Sequence, residues 1–176
     1  MVRLLASALA LVALLPLAAE AHGPTRQKVV EKIEINAPAD KVWAVVGNFQ
    51  DMSWHPAFVK TEGEGGNEAN ATRTLTVEGG GQIFEKLTKY DDAKKTLSYV
   101  ITDVDVKVVP VTNYSSRITV SGDGDKSEVE WWGAFYRGFT NNDPPPELSD
   151  EAAVKAITGV YTSGLAALKE KIEGGK

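Results

Sequence analysis

SDEAAVKAITGVYTSGLAALKEKI, residues 149–172, is the stretch that decides the fold. Its apolar positions are Val154, Ile157, Tyr161, Leu165, Leu168 and Ile172. These recur in steps of three and four, the signature of one amphipathic helix. Ser149 suits the N-cap, and Asp150 and Glu151 suit the positive end of the helix dipole. At 1.5 Å per residue the helix would run about 35 Å, long enough to cross a whole sheet. Gly159 and Gly164 each cost about 1 kcal/mol against alanine inside it. Close packing on a sheet would account for them, and so would space left for a cavity. Immediately upstream, Asn141-Asn142-Asp143-Pro144-Pro145-Pro146 is a rigid loop that cannot be helical.

Before that loop the pattern has a period of two. Val29, Ile33 and Ile35 share a strand face with Glu31. Asn36 to Asp40 is a turn opening a short helix with Val42, Trp43, Val45 and Val46 on one side. Phe49 to Pro56 reads as a second short turn or helix, stopped by Pro56. Glu62 to Asn70 reads as a hairpin loop. A meander of strands follows. Its shared faces are Arg73, Leu75 and Val77, then Ile83, Glu85 and Leu87, then Leu97, Tyr99 and Ile101. Tyr114, Ser116, Ile118 and Val120 come next, and Val129, Trp131 and Phe135 close the series around Gly133. Asp103 to Pro110 is a connection whose Val-rich end extends a strand at most. A large antiparallel sheet burying one face against one long helix is an α+β layer architecture.

Residues 1–21 are an address rather than part of that domain. Arg3 precedes an apolar run from Leu4 to Leu17, and Ala19-Glu20-Ala21 is a cleavage signal. The run is short for a membrane span. The expectation is a secretory signal peptide, a single domain at 22–176, export to a bacterial periplasm, and no membrane association after cleavage.

Composition narrows the chemistry. Nineteen Lys and Arg against 24 Asp and Glu give a net charge of -5, which disfavours nucleic acid. There is no cysteine, so thiol catalysis, disulfides and thiolate metal sites are excluded. The two histidines, His22 and His55, lack metal-binding spacing. No nucleophile elbow or phosphate-cradling glycine loop is present. No cofactor and no catalytic residue is expected. A mature amino terminus at His22 would place an amine beside an imidazole, a pair able to chelate copper.

The element order resembles the helix-grip fold of the START-like, polyketide-cyclase-like (SRPBCC) superfamily. There a curved antiparallel sheet of about seven strands wraps a long C-terminal helix around an apolar cavity, with two short helices after the first strand. The segments that carry the likeness are Ala37 to Trp43, Trp54-His55-Pro56, Glu85-Lys86-Leu87 with Tyr90-Asp91, and Leu97-Ser98-Tyr99. Within the superfamily the chain resembles the MxaD family. That likeness rests on Ala21 to Thr25, Ala71 to Thr76, Glu128 to Trp131, Phe135 to Gly138 and Asp150 to Ala156. It implies a non-catalytic periplasmic accessory protein of methanol oxidation, assisting methanol dehydrogenase and its cytochrome c acceptor.

In such a fold the cavity candidates are Trp54, His55, Arg73, Glu85, Tyr99, Tyr114, Trp131 and Phe135. Charges at Arg73 and Glu85 on an apolar face are costly unless paired or wetted. They would orient a polar group of a small hydrophobic ligand, or support a carrier or polyketide-cyclase-like enzyme. A one-residue slip or bulge would instead turn them outward. His55 would bond a ligand at the cavity mouth or anchor a loop. Trp132, Tyr136 and Phe139 fall on or near the opposite face, with Arg137 beside them. They would form an exposed patch for a partner protein, or a second small core.

Overall fold

The computed structural model describes residues 23–174. The expected signal peptide and His22 lie outside the described residues. Strand β1 (Gln27–Ile35) leads into helix α1 (Ala39–Val46). Strands β2 (Phe58–Glu64), β3 (Thr72–Val77), β4 (Gln82–Asp91), β5 (Thr96–Val104), β6 (Val111–Asp123) and β7 (Lys126–Arg137) follow as a meander. A single 3-10 turn at Pro146–Leu148 precedes helix α2 (Asp150–Gly174).

The sheet order is β1-β7-β6-β5-β4-β3-β2, and all its pairings are antiparallel. This is the helix-grip arrangement the element order implies. Register shifts at Phe58/Lys60, Phe84/Glu85, Leu87/Lys89 and Thr112/Ser115 mark bulges, which bend and twist the strands that carry them. β5 and β6 pair only from Thr96↔Thr119 to Val100↔Ser115. Beyond that point the two strands part, and Ile101 to Val104 and Val111 to Tyr114 line an open groove.

α2 starts as its sequence directs. Ser149 Oγ accepts the Ala152 N–H at 3.2 Å, a capping bond that satisfies one of the free donors at the helix start. Ile157, Tyr161, Leu165, Leu168 and Ile172 are buried, and the helix lies mainly over β1 and β7. The inner faces of the strands fall as the alternation predicts, Arg73 and Glu85 included.

Two expectations need correcting. The second short helix is absent: Phe49 to Pro56 is a run of turns. Side chains there capture backbone donors that a helix would use. Asn48 takes the Gln50 N–H at 3.1 Å and Asp51 takes the Ser53 N–H at 2.8 Å. The hairpin loop expected from Glu62 begins later, because Phe58 to Glu64 forms β2 at the sheet edge. Most of this strand is exposed on both faces, so it carries no alternation to read.

Candidate functional site

A narrow cavity lies between the inner face of the sheet and α2. Its volume is about 30 Å3, room for about two waters. Leu75, Ile83, Ile101, Ile157 and Val160 give it apolar walls. Met52 and Phe58 come from irregular chain or its junction with β2, and Val109 from the β5–β6 connection. The polar lining is Arg73, Glu85, Tyr99, Tyr114 and Trp131.

Arg73 and Glu85 are direct cross-strand partners on β3 and β4, and both are buried. Arg73 Nε donates to Glu85 Oε2 at 2.6 Å, and Nη1 donates to the Phe49 carbonyl at 2.8 Å. The guanidinium also sits 4.2 Å from the centre of the Phe49 ring and 5.0 Å from that of Tyr99. The buried side-chain polar atoms without a hydrogen-bond partner among the described residues lie elsewhere: Gln50 Oε1, Trp54 Nε1, Ser127 Oγ and Asp150 Oδ1. Burial pushes the Glu85 carboxyl above the ordinary carboxylate range, while the charge and hydrogen bond of Arg73 pull it back. Ion pairs this deep contribute little net stability, since desolvation offsets their attraction.

A second polar group, wholly neutral, packs between β5, β6, β7 and α2. Tyr114 and Tyr161 hydroxyls lie 2.5 Å apart, and Tyr161 lies 3.1 Å from Ser116 Oγ. Ser116 donates its proton to the Trp132 carbonyl at 2.8 Å. The direction of the chain is therefore set: Tyr114 donates to Tyr161, Tyr161 to Ser116, and Ser116 to the backbone. Trp131 Nε1 donates to Ser116 Oγ at 3.0 Å and Tyr99 Oη at 3.1 Å, and its ring stacks on Tyr161 at 4.4 Å. Gly133 makes the arrangement fit, because a Cβ there would collide with the Tyr161 hydroxyl. Burial raises the Tyr99 phenol to about 12, and pushes Tyr114 and Tyr161 well above their usual values. All three stay protonated at neutral pH, so they serve as hydrogen-bond donors and not as bases.

His55 is buried and does not line the cavity. Its Nδ1 accepts the Ala57 N–H at 3.1 Å, so Nε2 carries the proton and donates to the Val160 carbonyl at 2.9 Å. Burial lowers its pKa, which favours this neutral ring. The geometry is that of a loop anchor. Gly164 serves the same contact, since a Cβ on it would strike the His55 ring. Gly159 meets nothing within 4 Å and is exposed. Close packing thus accounts for Gly164, and a cavity accounts for neither glycine. Trp54 and Phe135 are buried core residues away from the cavity.

The family of polyketide cyclases, dehydrases and lipid-transport proteins matches residues 26–173. The chain belongs to that family. Solved structures agree with the assignment. An uncharacterised Bacillus thuringiensis protein is 29% identical with a TM-score of 0.70, covering 84% of this chain and 99% of its own. XoxI from Bacillus cereus is 31% identical with a TM-score of 0.69, covering 83% and 95%. Norcoclaurine synthase from Thalictrum flavum, solved with dopamine and hydroxybenzaldehyde, is 16% identical with a TM-score of 0.65, covering 100% and 99%. That last likeness shows the fold alone. No curated protein matches the chain.

In this polyketide-cyclase-family domain the outer face of the sheet is solvated. Val30, Trp132 and Arg117 lie opposite one another across β1, β7 and β6, with Arg117 5.6 Å from the Trp132 ring centre. Lys32 bridges Glu128 at 2.8 Å and Glu130 at 3.2 Å nearby; exposed pairs of this kind are worth little. Trp132, Tyr136 and Phe139 are half-buried. Arg137 departs from the expected patch. It shares the inner face with Trp131 and Phe135 and is buried, bonded to Asp150 at 3.1 Å and to the Phe139 and Asn141 carbonyls at 2.8 and 2.9 Å. It ties the proline loop to the start of α2.

Proposed function

We propose that this protein is a non-catalytic binding protein that holds a small, largely apolar molecule between α2 and the sheet. One observation carries the reading. The buried Arg73–Glu85 ion pair stands in the wall of a mostly apolar cavity, and charged groups at such a wall favour a guest with a polar end, or water. Other titratable groups of the region serve the structure: His55 bonds two backbone groups, Tyr114 and Tyr161 bond each other, and Tyr99 accepts from the Trp131 indole. Titrating the 15N-labelled protein with methanol, small enough for a cavity with room for about two waters, tests the reading. The Trp131 indole N–H resonance should shift and saturate; a flat titration overturns it.

The setting we propose follows from the resemblance to the MxaD family: export to the periplasm and service to methanol dehydrogenase and its cytochrome c. The half-buried outer aromatics Trp132, Tyr136 and Phe139 would then make the partner contact, with Arg137 removed from that patch. Tagged protein should retain methanol dehydrogenase or its cytochrome from a methanol-grown periplasmic extract, and Trp132→Ala should lose it. Recovery of neither partner by the unsubstituted protein sinks this setting and leaves the cavity reading intact.

A further inference from the structure

We infer that the free edge of β2 is a self-association edge, through which two copies of this chain pair antiparallel about a two-fold axis at Thr61.

The sheet has two edges, β1 and β2. α2 lies over β1, and its Lys169 takes the Glu34 carbonyl at 2.8 Å. On β2, Val59, Lys60 and residues 62–64 are exposed. An open strand edge presents unpaired backbone donors and acceptors, a template for another strand. The hydrogen bonds of β3 settle which groups of β2 point outward. The Leu87 N–H donates to the Ala71 carbonyl and the Val77 N–H to the Gly81 carbonyl, so the odd-numbered residues along β3 face β4. Thr72, Thr74 and Thr76 therefore face β2, opposite Glu64, Glu62 and Lys60. Thr61 and Gly63, which alternate with those three, turn their N–H and C=O groups away from the sheet.

The side chains fit the same axis. An interface across a two-fold must be self-complementary. With the axis at Thr61, Lys60 of each copy stands opposite Glu62 of the other. Lys60 and Glu62 spend their backbone groups on β3, so across the new seam they form non-hydrogen-bonded pairs, whose side chains stand closest. Both project from the outer face, since Thr61 and Gly63 share the inner face with their partners Leu75 and Arg73. α2 therefore leaves them unobstructed. In the single chain Lys60 and Glu62 bond each other at 2.8 Å, and pairing trades that exposed contact for two across the seam. Other registers are worse. An axis at Gly63 sets Glu62 against Glu64, two like charges, and an axis at Val59 sets Lys60 against Phe58. The seam is short, which makes the association weak and dependent on concentration.

Sedimentation equilibrium at low salt, from micromolar to about 1 mM protein, tests this. A dimer should grow in with concentration. Lys60→Glu and Glu62→Lys should each weaken it at least about tenfold, because two attractive pairs become repulsive. Both substitutions in one chain restore the complementarity and should return the dissociation constant to within about threefold of the parent's. An equimolar mixture of the two single variants should form a heterodimer, which also shows that both variants are folded. A monomer throughout the range overturns the inference. So does a dimer indifferent to either single substitution, or one that the double substitution fails to recover.

Discussion

Two buried polar regions share this core, and they are built differently. Around Tyr114, Tyr161, Ser116 and Trp131, neutral groups hydrogen-bond in a directed chain that ends on a backbone carbonyl. At Arg73 and Glu85, full charges are paired in the wall of the cavity. The first region specifies how α2 seats on the sheet. The second sets a charge pair against the cavity. Burial alone does not separate a structural polar group from a binding one.

Breaking the ionic region should have the largest effect. Arg73→Met leaves Glu85 buried without its partner and should cost about 3–5 kcal/mol in urea denaturation. Arg73→Met with Glu85→Leu removes both charges and should recover most of that loss. If the single and double variants are equally unstable, the pair is not the coupled unit described. Gly133→Ala tests the neutral region next. Its methyl group displaces the Tyr161 hydroxyl, and overpacking of this kind should cost about 1–3 kcal/mol. A variant as stable as the parent would mean that the glycine notch does not hold the helix.

The smallest effect is a pH dependence at His55, whose ring lies 5.9 Å edge-on to Trp131. Burial holds the folded imidazole below its ordinary value of 6.5. As pH falls below 6.5 the unfolded chain takes up the proton first, and the folded state loses stability. The neutral ring's contribution is therefore complete above 6.5 and is lost as pH falls towards the folded-state value. Urea midpoints of the parent should drop faster than those of His55→Gln between pH 7 and about 5.5. Parallel profiles would remove His55 as the titrating group.

Much of this was legible before any coordinates. The three-four spacing of α2 and the alternation of β3, β4, β6 and β7 depend on local periodicity, which sequence displays. For that reason the alternation puts Arg73 and Glu85 on the apolar face, with a slip or bulge as the alternative that the structure removes. Arg137 is not read inward, although two steps beyond Phe135 keeps the inner face; its partner Asp150 stands across the proline loop, and no periodicity reveals such a bond. β2 was missed because an edge strand exposed on both faces has no apolar side. Trp54, His55 and Phe135 read as cavity residues because an aromatic in the core and an aromatic on a cavity wall look alike in sequence. Only the seating of α2 separates them.

The parting of β5 and β6 divides the sheet mechanically. On one side are β1, β7 and β6 with α2 above them; on the other are β2, β3, β4 and β5 with the ion pair. Between them runs a joint fastened along only part of its length. The cavity takes its walls from both sides, from Arg73 and Glu85 on one and from Tyr114 and Trp131 on the other. A guest lodged there would touch both sides of that joint at once, as a strut does.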